Sequence, residues 1–366
     1  MLFASIHFGR WFFTTIAVLL WPHANARYFA SIRDLSKMEM GILLSGQKGV
    51  GAAEFCTIEG MEFLCFEAEA LDEELQALLR RFSSGYAVFQ LEGGLLRPLL
   101  GSNQLLLGQD LSSILKYKGK TNEMFTGLLV NVAIFSSAYR DRFREPLEVL
   151  DPMCGRGTAL FEALRRGYRA TGIEIDKTDV QQVEQFLKKY LEYNRYKFSL
   201  DHDSLTVPGA APARRLRVRF ASDAAALKEN PFSLDLVLGD TLQAKSYFKQ
   251  ARIHALVCDL PYGVKHETRE GKDLVSLDTM MKKALVSWQK ALLPGAGLAL
   301  SFNSYTLSLA KARGMLEEAG YEVLRGGEYD GFSHWVEQAI QRDVVVARFP
   351  GNASKRTASA AKGESW

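Results

Sequence analysis

Apolar residues along the chain fall into three patterns. The first is an almost unbroken run, Trp11 to Trp21, preceded by Arg10 and followed by the small-residue triplet Ala24-Asn25-Ala26. On pattern alone, residues 1–26 read as a secretory signal peptide, too short for a membrane span, or as an apolar N-terminal extension. From Arg27 the pattern becomes regular. Arg27–Ile32 alternates as a strand, and Leu35–Leu44 has helical spacing with Met38, Met40, Ile42 and Leu43 available to a core. Glu54–Ile58 and Glu62–Glu67 predict two strands joined by a Glu59-Gly60 turn. Asp72–Phe82 predicts a helix with acidic residues in its first turn, and Tyr86–Leu91 a further strand. The order β-α-β-β-α-β predicts a small α+β, ferredoxin-like domain over residues 27–110, ending in a Gly- and Leu-rich connector from Gly93 to Asp110.

The third pattern alternates strand and helix. Strand Leu147–Leu150 leads into a glycine-containing turn and helix Ala159–Arg166, stopped by Gly167. Strand Arg169–Ile175, helix Asp179–Tyr193, strands Leu234–Leu238 and Ala255–Cys258, and helix Leu277–Leu293 follow. Strand Gly297–Phe302, helix Leu307–Ala319 and strands Tyr321–Leu324 and Val344–Phe349 complete it. Such alternation predicts a parallel α/β sheet over residues 111–350. The last two strands have no clear helix between them, which suits an antiparallel final pair. Residues 197–230 are polar and mixed and read as an insertion; Gly351–Trp366 reads as a disordered tail.

Composition adds little. With 366 residues, 47% of them hydrophobic, there is apolar material for one large core and a smaller one. An aromatic content of 11% excludes a disordered chain, and a net charge of +3 argues neither for nor against nucleic acid. Cys56, Cys65, Cys154 and Cys258 form neither a CxxC pair nor a His/Cys metal spacing. They read as reduced thiols, and no metal is expected.

The candidate chemistry lies in two strand-end turns. Asp151-Pro152-Met153-Cys154-Gly155-Arg156-Gly157-Thr158 sits directly after a predicted strand and before a helix. Gly155 and Gly157 permit a sharp turn and a close backbone approach to a ligand. Glu174 ends the next strand, where a ribose hydroxyl pair takes a carboxylate; Glu174 or Asp176 alternatively caps the next helix. The leading acid separates cofactor classes. A carboxylate in this turn would repel a pyrophosphate at the helix N-terminus, whereas S-adenosylmethionine has no phosphate and carries an ammonium and a sulfonium. Asp151 therefore points to S-adenosylmethionine. Asp240, past a third strand, is placed to accept the adenine amino group; Thr121–Thr126 either closes over the methionine end or begins a helix.

The second turn is Asp259-Leu260-Pro261-Tyr262-Gly263, after the fourth strand. An exocyclic base amine is a weak nucleophile because its lone pair is delocalised into the ring. A carboxylate accepting one of its N–H groups restores electron density, carbonyls of a Pro-containing turn accept another, and a Tyr ring stacks on the base at about 1–3 kcal/mol. In-line methyl transfer then needs mainly positioning.

These segments resemble a known family. Asp151–Thr158 with Glu162 is similar to the D-P-x-C-G-S-G-T-x-x-x-E signature of the RNA methylases that include the THUMP-associated tRNA guanosine-N2 methyltransferases, with Arg156 replacing the usual Ser. Asp259–Gly263 resembles that family's D-x-P-[YF]-G motif, and also the D-P-P-Y motif of N6-adenine methyltransferases with Leu260 replacing a Pro. The resemblance covers Lys116 to Phe349 and implies a Rossmann-like class I, S-adenosylmethionine-dependent methyltransferase. It implies that Asp151, Gly155 and Glu174 bind cofactor, with Pro152, Cys154, Gly157 and Asp240 beside them, and that Asp259, Pro261 and Tyr262 present the base. It further implies RNA, above all tRNA, as partner, and leaves room for an activating protein subunit. A full THUMP domain does not fit in the N-terminal half; only its ferredoxin-like neighbour does. A rival, cysteine-based C5 methylation of a pyrimidine, needs Cys in the slot that Tyr262 holds. A cytosolic cofactor implies a cytoplasmic protein, not membrane-bound, and favours an N-terminal extension or an early start codon over export.

Two basic clusters are candidate phosphate contacts: Lys116, Lys118 and Lys120 around Tyr117, and Arg214, Arg215, Arg217 and Arg219 in the insertion. His334-Trp335 and Arg342-Asp343 border the expected substrate pocket.

Overall fold

The computed structural model describes residues 13–22, 26–100, 105–113, 121–261 and 277–351. Tyr262, Gly263, the Lys116–Lys120 cluster and the predicted tail after Gly351 lie outside them.

Strand β1 (Thr14–Leu20) is the first departure from expectation, because it is formed by the signal-like run. It is followed by helix α1 (Ala26–Leu44), so Arg27–Ile32 is helical and not the predicted strand. Strands β2 (Glu54–Ile58) and β3 (Met61–Ala68), helix α2 (Glu73–Leu79) and strand β4 (Gly85–Glu92) come next. The predicted connector supplies a further strand, β5 (Leu95–Leu100), and the single turn α3 (Asp110–Ser113). The antiparallel sheet has the order β2-β3-β1-β4-β5. The ferredoxin-like arrangement survives, with its first strand moved upstream and one strand added at an edge. Strand β1 pairs with both β3 and β4, and Ile16, Ala17 and Val18 are fully buried. This central strand buries three successive residues and half-buries its neighbours, so its apolar run shows no alternation. That explains why this segment imitates a signal peptide.

Cys56 and Cys65 stand on the paired strands β2 and β3, with Cα atoms 6.0 Å apart, and are joined as a disulfide. The expectation of four reduced thiols holds only for Cys154 and Cys258, both buried.

The second domain opens with α4 (Glu123–Phe135), buried along nearly its whole length. Then come β6 (Glu148–Asp151), α5 (Thr158–Arg165), β7 (Arg169–Glu174) and α6 (Lys177–Tyr193). The predicted insertion is a regular hairpin, β8 (Lys197–Leu205) and β9 (Ala213–Ala221), followed by α7 (Ala224–Glu229). Strand β10 (Phe232–Leu238), α8 (Ala244–Tyr247), β11 (Ile253–Asp259), α9 (Leu277–Trp288), β12 (Leu292–Asn303), α10 (Leu309–Glu318), β13 (Glu322–Val323), β14 (His334–Glu337) and β15 (Ile340–Phe349) complete the chain.

The large sheet runs β13-β15-β12-β11-β6-β7-β10-β9-β8, with β14 on β15. Its centre, β12-β11-β6-β7-β10, is parallel; β15 is antiparallel to β12 and also to β13, the final pair for which the missing helix predicts this. The chain leaves β6 toward β7 on one side and returns to β11 on the other. Ligands bind such sheets beyond the carboxyl ends of the strands at that crossing.

One hydrophobic cluster runs without a break from Ile16, Leu64 and Leu78 of the small domain to Leu128, Val149, Leu160 and Leu236 of the large one. The opposite sheet face has its own cluster under α9 and α10, with Leu256, Trp288 and Leu298. Polar groups also cross the domain seam. Buried Glu39 of α1 accepts from Ser83 N–H (3.0 Å), the Ser83 hydroxyl and Asn131 Nδ2 (2.6 Å). Asn131 Oδ1 accepts from Arg166 Nε (3.0 Å), and Arg166 and Arg165 clasp Glu162, Arg165 at 2.7 Å. Burial pushes the Glu162 carboxyl up, but the two guanidiniums outweigh it and the net shift is down. Arg140 adds hydrogen bonds to the α1 C-terminal carbonyls of Ile42, Leu43 and Ser45. The two domains are thus one packed body.

Candidate active site

Three adjacent parallel strands of the central sheet each deliver an acid to the same edge. Asp151 ends β6, Glu174 ends β7, and Asp259 ends β11. Between Asp151 and α5 the chain turns through Gly155 (φ +49°) and Gly157 (φ +79°), left-handed conformations that favour glycine. Gly157 is the N-cap of α5, so no side chain occupies that cap. The loop lies tightly on β7: a Cβ at Gly172 would come within 2.7 Å of Leu160 and 2.8 Å of Cys154 Sγ. Cys154 N–H bonds the Ile173 carbonyl at 3.0 Å, and Gly155 N–H bonds Glu174 Oε2 at 2.8 Å. Glu174 Oε1 accepts Asp176 N–H at 2.8 Å. Asp176, and not Glu174, caps α6 through Thr178 and Asp179 N–H. Glu174 is therefore held by backbone donors in a fixed orientation at the loop.

Asp151 is buried, and Met153 N–H donates to its Oδ1 at 3.1 Å. Loss of hydration raises its carboxyl to about 8, and the nearby acids Asp259 and Glu174 push the same way. A cation bound here would restore the ionisation of Asp151. Ile175, 59% exposed between Glu174 and Asp176, adds an apolar surface that residue-type reasoning passes over. Only the sheet edge makes its exposure visible. Pro152 lies at the buried start of the turn.

Asp259 is oriented from three directions. Ser301 Oγ donates to Oδ1 at 2.8 Å, the Thr121 hydroxyl donates to Oδ2, and Arg342 approaches Oδ2 at 3.5 Å. Thr121–Thr126, expected to close over the cofactor or begin a helix, begins α4: Asn122 caps it and Thr121 touches Asp259. Ser301 was missed because it sits mid-pattern in β12; the parallel register Asp259↔Ser301 brings it alongside. Arg342 stacks over the Phe125 ring at 4.6 Å, and Phe125 meets the His334 ring at 5.1 Å. Leu260 N–H bonds Ser301 O at 2.8 Å, anchoring the turn that leads to Pro261.

Asp240 stands past β10, and its Oδ1 caps Leu242 N–H at 2.8 Å. The cysteine rival finds no support: burial raises the Cys154 and Cys258 thiols well above their usual value, which removes thiolate. Of the four clustered arginines, Arg215, Arg217 and Arg219 alternate onto one face of β9. Arg217 pairs with Asp203 (2.6 Å), Arg215 donates to the Tyr247 carbonyl (2.8 Å), and exposed Arg214 and Arg219 point to opposite faces of β9. Among the described residues there is no group of His, Cys, Asp and Glu that could hold a metal ion, and no helix long and apolar enough to cross a membrane.

The fold is the Rossmann-like sheet of class I methyltransferases, extended by the β8–β9 hairpin and joined to a ferredoxin-like domain. No family model matches the chain, and no curated protein is significantly similar to it. Among solved structures, three similar ones share low identity with the chain. TrmN from Thermus thermophilus shares 14% identity over 81% of this chain and 59% of its own, with a TM-score of 0.39. A TehB-like S-adenosylmethionine-dependent methyltransferase from Corynebacterium glutamicum shares 12% over 57% and 83%, with a TM-score of 0.35. Magnesium protoporphyrin IX methyltransferase from Synechocystis, solved with bound S-adenosylmethionine, shares 13% over 64% and 86%, with a TM-score of 0.36.

Proposed function

We propose that the protein transfers a methyl group from S-adenosylmethionine to the exocyclic amine of a nucleic-acid base, in the first place N2 of guanosine in tRNA. The observation that carries this reading is the acidic edge. Asp151, Glu174 and Asp259 end three adjacent parallel strands around a glycine turn, and burial of Asp151, followed by the charges of the other two, raises its carboxyl. Such an edge disfavours a phosphate-bearing cofactor and suits a phosphate-free nucleoside carrying an ammonium. Asp151 would face that ammonium, Glu174 the ribose hydroxyls, and Ile175 and Asp240 the adenine. The cofactor supplies an electrophilic methyl group.

The chain's own residues then prepare the acceptor. Asp259, aimed by Ser301, Thr121 and Arg342, accepts one N–H of the amine and returns electron density to its nitrogen. By the motif resemblance, backbone carbonyls of the Leu260-Pro261 turn would accept the second N–H, and Tyr262 would cover the ring. The motif resemblance supplies the choice of base. An N6-adenine acceptor would use the same atoms.

The test is methyl transfer from labelled cofactor to unmodified bulk tRNA and, in parallel, to DNA, with nucleosides identified by mass spectrometry. N2-methylguanosine is the expected product. N6-methyladenine keeps the mechanism and changes the substrate. Cofactor binding without transfer to either overturns the nucleic-acid reading for the isolated chain.

A further inference from the structure

A cavity of about 310 Å³ lies where α1 of the small domain faces the β14–β15 hairpin; Ser31, Asp34, Leu35, His334, Trp335 and Gln341 line it. Side-chain contacts tie it to the proposed catalytic edge. His334 stacks against Phe125, Phe125 carries the Arg342 guanidinium, and Arg342 reaches Asp259, so the chain of contact is three side chains long. The loop after β12 borders it as well. Ser304 N–H and Oγ bond the Gln341 carbonyl at 2.7 and 3.0 Å, next to Tyr305, which is 64% exposed.

The lining selects by charge. No Lys or Arg is among the residues that line it. Burial lowers His334 to about 4, and its Nδ1 lies 2.8 Å from the Phe332 carbonyl, so the ring is neutral at physiological pH. Asp34 supplies a carboxylate, which Arg33 reaches at 3.3 Å from outside the lining. No lining residue offers a phosphate a positive charge. A flat neutral group with N–H donors would find a carboxylate, a hydroxyl, an amide and an indole face, in a volume at the low end of small-ligand pockets.

We propose that this interdomain cavity takes the nucleobase adjacent to the target base, stacking it on Trp335 and reading its N–H edge with Asp34. The proposal rests on the nucleic-acid reading above and deepens it: the substrate is a polynucleotide with at least one splayed neighbouring base, and the ferredoxin-like domain forms half of its binding site. Unstacked bases read by aromatic rings and polar edges are the usual mode of single-stranded RNA recognition.

The experiment uses the full chain, a fluorescein-labelled single-stranded RNA of mixed sequence and a bulk tRNA transcript, with anisotropy for RNA affinity and calorimetry for S-adenosylmethionine. Trp335→Ala is expected to weaken RNA binding about ten- to a hundred-fold, the worth of one stacked base, while Trp335→Phe retains most of the affinity. Asp34→Ala, on an exposed helix position and without risk to folding, is expected to weaken it several-fold. Cofactor affinity stays unchanged in all three. Wild-type RNA affinity in both Trp335→Ala and Asp34→Ala overturns the proposal and leaves the proposed function standing. Failure of the wild-type chain to bind either RNA while it binds cofactor overturns both.

Discussion

Asp151 and Glu162 belong to one motif, are both buried, and have opposite fates. Glu162 faces the domain seam between Arg165 and Arg166, and its carboxyl is shifted down. Asp151 faces the sheet edge among other acids, and its carboxyl is raised to about 8. A buried acid matched inside the protein holds the fold together, whereas one left among like charges at a sheet edge is the candidate for a ligand. Glu162, quoted as part of a methylase signature, thus does its work in joining the domains.

The largest expected effect breaks the structural side. Glu162→Ala leaves two buried guanidiniums without a counter-charge and is expected to cost about 3–5 kcal/mol in urea unfolding. A loss under about 1 kcal/mol would mean that the seam does not depend on this pair. On the functional side, Asp259→Ala is expected to lower methyl transfer by roughly 10²–10³ and leave cofactor affinity intact. Loss of cofactor binding as well would place Asp259 in the cofactor site.

The pH dependence of cofactor binding sharpens the contrast. With Asp151 protonated below about 8, a cationic ligand must first displace the proton. The dissociation constant is therefore expected to fall as pH rises from about 6 to 8, at most about tenfold per unit, and to level off above. Asp151→Asn flattens that slope; a slope that persists in the variant assigns it to another group. The smallest effect belongs to Arg217→Ala, whose partly exposed pair with Asp203 is worth about 0–1 kcal/mol, read as a shift in Tm.

Much of this was legible because it is local. The Asp151–Thr158 turn combines a preceding strand, two glycines and a following helix, and each is encoded within a few residues. Asp72, Asn122 and Asp176 announce helix starts by the same short-range logic. Legibility ended where partners are distant in sequence. Ser301 and Arg342 reach Asp259 only through strand pairing, and the basic appearance of β9 is cancelled by acids on its neighbours. The β8–β9 hairpin read as an insertion because its outer faces are polar, as edge strands require.

The alternation of strand and helix, the glycine turn and the acids at the strand ends are written locally in the chain, since each follows from backbone preference and side-chain period. The nature of the apolar run at residues 14–20 depends on folding. An apolar segment records that it is buried, not by what: signal peptide, membrane segment and central strand share the pattern, and only its pairing with β3 and β4 chooses among them. The two acids of one motif part in the same way, because a carboxyl group's role depends on the charges that folding sets around it.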